Sequence, residues 1–216
     1  MILSRGRQFL FIHAPKTGGT SLALALEARA MKDDIMLGDT PKAAKRRKRL
    51  EGAKAAGRLW KHATLADLDG VVRAEELDNL FVFTLVRNPW DRLVSYYHWL
   101  QTQNFAHPAV GYAKRLDFGA FVAEPLIEQS FTQASAASYV TDANGIERAN
   151  LFIRLEHLLD DIVPLEDHLG FDLEVPHVNQ STRSLDYREA YSDKSREQVE
   201  QMCAIDIARF GYRFDR

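Results

Sequence analysis

The sequence predicts an α/β fold with a mainly parallel central sheet, because strand-like and helix-like runs alternate along its 216 residues. Two stretches favour this fold most strongly. Near the N-terminus an apolar run leads through a glycine loop into helix-forming residues, and a second apolar run ends at an Asn-Pro pair. The candidate strands are residues 8–13, 58–62, 80–86 and 151–155. The length fits one domain over residues 1–216.

The composition argues against several classes of protein. Lys and Arg number 28 against 30 Asp and Glu, so the formal charge of -2 gives no general argument for a nucleic-acid partner or an anionic membrane. The single cysteine, Cys203, excludes an internal disulfide framework and fits a reducing compartment. The sequence has no apolar run of about 18 residues, and its first strand begins too early for a signal peptide. We therefore expect a cytoplasmic protein without a transmembrane segment.

The first strand, residues 8–13, leads into the loop PKTGGTS at residues 15–21 and then into a helix. Gly18 and Gly19 allow the loop to turn its backbone N–H groups toward a ligand, and the helix N-terminus adds partial positive charge at the same point. This arrangement predicts an anion site, usually for phosphate. Lys16 precedes the glycines, so the nucleoside-triphosphatase pattern is not met. A glycine-rich turn that binds nothing is the alternative.

The next segment, residues 41–58, is the strongest charge run in the chain, because eight of its eighteen residues are Lys or Arg and its only acid is Glu51. A charge run of this kind is usually a solvated helix face. The alternative is a local basic patch that steers an acidic acceptor toward the predicted site. The strand predicted at residues 58–62 follows and ends at His62.

The third strand ends in a second informative motif. The continuous apolar run 81–86 suits a buried parallel strand, and Asn88 is a candidate helix N-cap followed by a proline. The helix is expected to bury Trp90, Leu93, Val94 and Tyr97 at helical spacing. Arg87 then lies at the carboxyl end of the strand, where open parallel sheets bind ligands, and Ser95 lies about two turns into the helix. An Arg87–Asp91 ion pair with Ser95 merely packed is the alternative.

These motifs resemble a known family. HAPKTGGTSL followed by VRNPWDRLVSYY is similar to the sulfotransferases that use 3′-phosphoadenosine 5′-phosphosulfate (PAPS), specifically the carbohydrate sulfotransferases of the heparan and chondroitin type. WKHATLADL, FIRLEHL and PHVNQS resemble further segments of that family. The resemblance implies a P-loop-like three-layer fold, with a mainly parallel sheet flanked by helices. It also implies sulfuryl transfer to a hydroxyl group of an acceptor, which is a glycan or another hydroxyl-bearing substrate. If the basic run at 41–58 steers the acceptor, the acceptor is acidic.

The resemblance also implies roles for individual residues. The loop residues that would cradle the 5′-phosphosulfate are Lys16, Thr17, Gly18, Gly19, Thr20 and Ser21. Arg87 and Ser95 would grip the 3′-phosphate. Asn179 and Ser181 in PHVNQS would contact the phosphosulfate or the acceptor, although a polar loop is an equally good interpretation. Eukaryotic members of the family are anchored in the Golgi membrane, whereas we expect no anchor here because no run of about 18 apolar residues is present.

The chemistry requires a base for the acceptor proton and a positive group for the departing phosphate. Lys16 suits the second role, because a flexible ammonium can follow the leaving oxygen. For the base, a histidine is attractive because its ordinary pKa of about 6.5 lies close to working pH. The resemblance favours His62 over His177, with a structural histidine as the alternative at either position. No metal is required.

Two other functions remain open at this point. A kinase-like P-loop phosphotransferase would share the sheet and the glycine loop, but it needs a hydroxyl after the lysine to hold magnesium and an acidic partner at a strand end. Here the glycines follow the lysine, so the loop pattern of that class is not met. A nucleotide-binding module without catalysis is the other alternative, and it would share every binding motif.

Overall fold

The computed structural model describes residues 1–176 and 186–215. Five strands form one sheet in the order β3-β1-β2-β4-β5. Their bounds are β1 Ile2–Ser4, β2 Phe9–Ile12, β3 Ile35–Met36, β4 Phe81–Val86 and β5 Leu151–Arg154. The helices of the described residues are α1 Gly19–Ala28, α2 Pro41–Arg46, α3 Ala74–Leu77, α4 Pro89–Gln101, α5 Pro108–Arg115, α6 Phe118–Val122, α7 Pro125–Gln133, α8 Ala136–Tyr139, α9 Leu158–Asp161, α10 Val163–Leu169, α11 Asp193–Met202 and α12 Ala204–Phe210.

The sheet is mainly parallel, as the sequence predicts. β2 pairs with β4 in parallel, with Phe9 opposite Phe81, and β4 pairs with β5 in parallel, with Phe83 opposite Leu151. β1 runs antiparallel to both β2 and β3. The predicted strands at 8–13, 80–86 and 151–155 are confirmed to within two residues. Because β2, β4 and β5 are parallel, their carboxyl ends lie at one edge of the sheet.

The predicted strand at residues 58–62 is wrong, because this segment forms turns rather than sheet. The Ala63 amide donates to the Trp60 carbonyl oxygen at 3.1 Å, which closes a turn where an extended strand would continue. The short run Arg58-Leu59-Trp60-Lys61, with two apolar residues between two basic ones, imitated a strand. The sheet position is instead taken by β1 and the two-residue β3, which the sequence analysis missed.

Two compact units divide the described chain, residues 1–86 with 136–176 and residues 87–135 with 186–215. In the first unit both faces of the sheet are buried, which explains why its strands read as continuous apolar runs. Leu10 and Ile12 face one cluster, which includes Leu77 of α3. Phe9 and Phe11 face the other, which includes Leu22, Leu26 and Leu165 from α1 and α10. The first unit therefore has helices on both faces of the sheet.

The second unit is helical and is built around α4. Its core contains the four residues predicted to be buried at helical spacing, Trp90, Leu93, Val94 and Tyr97. Pro89 opens α4 as expected, and the Asn88 side chain caps it by accepting a hydrogen bond from the Trp90 amide at 3.1 Å. The sequence prediction of the start and the buried face of α4 is confirmed.

Candidate functional site

The loop between β2 and α1 has the tight, left-handed geometry that its glycine content predicts. Gly18 is the N-cap of α1 with φ 82°, and Lys16 has φ 64°, a backbone region that a residue with a side chain occupies at a cost. The buried Thr17 hydroxyl donates to the Ala14 carbonyl oxygen at 2.8 Å. The Ser21 amide donates to the Gly18 carbonyl oxygen at 3.1 Å. These bonds fix the backbone of the loop within the first unit.

Both glycines are required by their surroundings. A Cβ atom at Gly19 would lie 2.3 Å from Cδ2 and 2.5 Å from Nε2 of the His13 imidazole. A Cβ atom at Gly18 would lie 2.7 Å from Cδ1 of Leu155, and its positive φ also disfavours a side chain. The loop backbone therefore rests directly on His13 and Leu155.

The N-terminus of α1 has the electrostatics of an anion site. The helix is 10 residues long, and among the described residues no side chain caps its N-terminus and no acid lies in its first turn. Thr20 and Ser21 lie in that turn. The partial positive charge of the helix end is therefore not offset by a local carboxylate. This geometry suits a phosphate or a sulfate.

His62 lies beside this loop in the first unit. Its ring centroid is 4.7 Å from that of His13, and its Nδ1 is 2.8 Å from the His13 carbonyl oxygen. A carbonyl oxygen only accepts hydrogen bonds, so in the neutral ring Nδ1 carries the proton and Nε2 carries the lone pair. The half-buried ring also meets Trp60 edge to face, at 5.0 Å between centroids. The loop backbone thus orients a nitrogen that can accept a proton.

Burial keeps His62 neutral. Removal from water lowers the pKa of His62 to about 4, opposed by its hydrogen bond to the His13 carbonyl and assisted by the charge of Lys61. The pKa of His13 is also well below its usual value because the ring is buried. Lys61 itself forms an ion pair with Asp39, and the hydrogen bond from Lys61 lowers the pKa of that carboxyl. At neutral pH both imidazoles are uncharged.

Arg87 and Ser95 belong to the second unit. Nε and Nη2 of Arg87 donate to Oδ2 of Asp91 at 2.8 and 2.6 Å, so the ion pair raised as an alternative from the sequence is present. Ser95 lies in α4 one turn after Asp91, which places the two on the same face of the helix. The assignment of Arg87 and Ser95 to a 3′-phosphate stays a prediction.

Three further candidate residues lie outside the part of the chain that the structure describes, and Arg154 at the end of β5 has a defined partner. The three are Ser181, Asn179 and His177. The guanidinium of Arg154, at the end of β5, forms two hydrogen bonds of 2.8 Å with the Asp161 carboxylate. Asp161 lies seven residues further along the chain, and its carboxylate also accepts a hydrogen bond from the Arg154 amide at 2.9 Å, so it binds the backbone and the side chain together.

Sequence reasoning missed the supporting roles of His13 and Trp60. His13 entered the sequence analysis only as the last residue of the first predicted strand, whereas its ring contacts Gly19 and its carbonyl orients His62. Trp60 was interpreted as a strand residue, whereas it is 39% exposed beside the His62 ring. The signal available in the sequence was the position of each residue, directly before the loop and two residues before the candidate base.

Metal clusters and membrane-spanning helices would indicate functions of another kind. Among residues 1–176 and 186–215, no three His, Cys, Asp or Glu side chains cluster in a way that would hold a metal ion. Within the same residues, no helix combines the length and the apolar composition that crossing a bilayer requires.

Comparisons with known proteins agree with this architecture. Residues 1–213 match the sequence model of the Sulfotransferase family, a range that includes the loop, His62, Arg87 and Ser95. The chain is also similar to the crystal structure of mouse sulfotransferase SULT7A1 complexed with PAP, with a TM-score of 0.55 and 16% identity over 93% of this chain and 84% of that chain. The comparison with curated proteins found no match. Because the family match covers nearly the whole sequence, the chain belongs to the sulfotransferase family.

Proposed function

We propose that the protein transfers a sulfuryl group from PAPS to a hydroxyl group of a carbohydrate acceptor, as a single sulfotransferase domain over residues 1–216. The observation that carries this proposal is the link between the anion loop and His62. The same loop that presents the N-terminus of α1 also supplies the carbonyl that orients the imidazole. An anion site and a neutral base built on one backbone are what transfer from a phosphosulfate to a hydroxyl requires.

PAPS supplies a sulfuryl group joined to a good leaving group, the 5′-phosphate of adenosine 3′,5′-bisphosphate (PAP). As the acceptor oxygen forms its bond to sulfur, the bond from sulfur to the bridging phosphate oxygen breaks, and its electron pair leaves with the phosphate. Nε2 of His62 takes the acceptor proton. Lys16 stabilises the negative charge that grows on the bridging oxygen. The proposal assigns no role to a metal.

The remaining residues bind the donor. The loop residues Thr17, Gly18, Gly19, Thr20 and Ser21 would hold the 5′-phosphosulfate through backbone N–H groups, hydroxyls and the dipole of α1. In the family-based assignment Arg87, Ser95 and Ser181 hold the nucleotide, and Arg87 and Ser95 distinguish its 3′-phosphate. Arg87 would then share its guanidinium between that phosphate and Asp91, which already restrains it.

Two rival functions are less well supported. A kinase-like phosphotransferase of the nucleoside-triphosphatase type has a glycine directly before its lysine, whereas here Pro15 precedes Lys16 and both glycines follow it. A nucleotide-binding module without catalysis would not need a neutral, oriented imidazole beside the loop. The sulfotransferase proposal uses both features.

Transfer of labelled sulfate from PAPS to a panel of glycans tests the proposal directly. We expect labelled product with PAPS and far less with adenosine 5′-phosphosulfate, which lacks the 3′-phosphate. Labelled ATP with magnesium serves as the phosphotransferase arm. Product from ATP alone would support the kinase-like rival. Binding of PAP without transfer to any glycan, phenol or alcohol would support the non-catalytic module.

A further inference from the structure

Arg58 is held beside the candidate base by Trp60. Its guanidinium carbon lies 5.0 Å from the centroid of the Trp60 ring, and the same ring is 5.0 Å from that of His62. Arg58 and Trp60 are both exposed. A guanidinium stacked on an aromatic face keeps the hydrogen-bonding edge of its fork available to a planar anion.

The backbone around this pair is fixed at both ends. The Gly57 amide donates to the Asp67 carbonyl oxygen at 3.1 Å, and the Ala63 amide donates to the Trp60 carbonyl oxygen at the same distance. Between these two bonds the chain carries Arg58, Trp60 and the candidate base. The stacked pair therefore has a defined position relative to His62, as a recognition residue needs.

Three other cations of the basic run donate hydrogen bonds to backbone carbonyl oxygens of the protein. Lys42 donates to the Glu27 carbonyl oxygen, Arg46 to the Met31 carbonyl oxygen at 2.8 Å, and Arg49 to the Asp34 carbonyl oxygen at 3.1 Å. These three tie down the chain that follows α1. The contact that the structure records for Arg58 is instead its stacking on Trp60. The basic run thus includes three anchoring residues and, near the candidate base, one stacked arginine.

We propose that Arg58, held on the Trp60 indole, binds a carboxylate or sulfate group of the acceptor whose hydroxyl reacts at His62. The inference rests on the proposed function and adds to it an acceptor subsite and a class of acceptor, a molecule that carries an anionic group near its reactive hydroxyl. Arginine suits this role because its fork pairs with both oxygens of a carboxylate. The exposed indole gives the acceptor ring an apolar surface to pack against.

Calorimetry in the presence of saturating PAP tests this subsite without requiring turnover. The probes are a tetrasaccharide of alternating glucuronic acid and N-acetylglucosamine, its carboxyl-reduced form, 4-hydroxyphenylacetate and its methyl ester. We expect the intact protein to bind one of the two acids about three- to tenfold more tightly than its neutral counterpart. Arg58→Gln should abolish this preference, and Arg58→Lys should retain part of it. Lys45→Gln, which removes an exposed cation of the same run, should leave it unchanged.

A double variant tests the link to the indole. Trp60→Leu should reduce the preference for the acid, and combining it with Arg58→Gln should reduce it no further, because both changes remove one stacked unit. Additive losses would contradict a shared role. If Arg58→Gln and Lys45→Gln reduce the preference for the acid equally, the preference comes from the summed charge of the basic run and the Arg58 subsite is wrong. An intact protein that binds neither acid better than its neutral form would also overturn it.

These outcomes are separable from failure of the proposed function. If PAP does not bind, the donor assignment fails whatever the acids do. If PAP binds and only 4-hydroxyphenylacetate shows the Arg58-dependent preference, the subsite stands and the carbohydrate acceptor is wrong. If PAP binds and neither acid is preferred, the donor site stands and the Arg58 subsite falls.

Discussion

Nδ1 of His62 lies 2.8 Å from the backbone carbonyl oxygen of His13, although 49 positions separate the two residues in sequence. This contact selects the tautomer of the ring and aims the lone pair of Nε2. The residue that provides the carbonyl also begins the anion loop, directly after β2. The same backbone segment thus positions both the candidate base and the candidate donor site.

Replacing His62 should separate chemistry from binding. If Nε2 removes the acceptor proton, His62→Ala should lower kcat by about 10²–10⁴-fold, the usual loss for a positioned acid–base group. The affinity for PAP, measured by calorimetry, should change little. His168→Gln is the matched control, because that ring stacks on Phe81 at the start of β4, the opposite end of the strand from the loop. A His62→Ala variant with normal turnover would remove His62 from the mechanism.

The pH dependence should reflect a depressed histidine pKa. In the folded protein burial lowers the pKa of His62 to about 4, whereas the unfolded chain titrates near 6.5. We expect the acidic limb of kcat/KM near pH 4 rather than 6.5, and its loss in His62→Ala. Titration of the His62 ring by NMR checks the same value. A ring that titrates near 6.5 would contradict the buried, neutral state.

The lowered pKa of His62 also makes the free energy of unfolding depend on pH. Between pH 6.5 and about 4 the unfolded chain binds a proton at His62 that the folded protein does not, so the free energy of unfolding should fall as the pH is lowered through this window. The buried His13 contributes in the same direction. Urea unfolding at pH 7, 5.5 and 4.5 measures the slope. In His62→Asn the slope should be shallower.

Adding one methyl group at Gly19 should disturb the loop and its supporting ring. The new Cβ would lie 2.3 Å from the His13 ring, so Gly19→Ala should destabilise the protein by about 1–3 kcal/mol and weaken PAP binding. Gly38→Ala is the matched control, since the nearest atom to its Cβ is 3.6 Å away. In a His13→Ala background the cost of Gly19→Ala should shrink, because the clashing ring is gone. Equal costs in both backgrounds would show that His13 is not the cause.

Replacing Arg87 should erase selectivity for the 3′-phosphate. The intact protein should bind PAP more tightly than AMP, and Arg87→Ala should weaken PAP binding about ten- to a hundredfold, as expected for a lost charge-assisted contact of roughly 1.5–3 kcal/mol. AMP binding should barely change. Arg115→Ala, an exposed arginine of the same unit, should leave both affinities intact. If PAP and AMP bind equally to the intact protein, the 3′-phosphate assignment is wrong.

Lys16 should matter more for turnover than for product binding. If its ammonium stabilises the leaving phosphate chiefly in the transition state, Lys16→Met should lower kcat by a larger factor than it raises the Kd of PAP. Methionine keeps the length of the side chain and the Cβ atom at this left-handed position. Normal turnover at saturating PAPS would reduce Lys16 to an anchor for the nucleotide.

Local signals in the sequence predicted a large part of the fold. The run 81–86 and the pair Asn88-Pro89 fix β4 and the start of α4, because burial and capping depend on neighbouring residues. β1 and β3 were missed, since strands of three and two residues carry no usable periodicity and form only by pairing with each other and with β2. The error at 58–62 has a similar origin, because a short apolar-basic run does not distinguish a strand from the turn that Trp60 and Ala63 close.

The candidate site was predictable in its residue types but not in its connections. The glycine loop predicted a tight turn, and Gly18 has a left-handed φ of 82°. The anion site at α1 stays a prediction. The contact that orients His62 involves a backbone carbonyl, which no side-chain pattern encodes. The stacking of Arg58 on Trp60 likewise follows from the turn that replaced the expected strand.

The left-handed backbone at Lys16 lowers the folding stability of the protein at the position of a proposed catalytic side chain. A side chain at φ 64° costs about 1–2 kcal/mol that glycine would not incur. A library screened only for heat resistance would therefore accept Lys16→Gly, and it would discard the ammonium proposed for catalysis. In the proposed mechanism, the ammonium of Lys16 thus contributes to turnover at a cost in the free energy of folding.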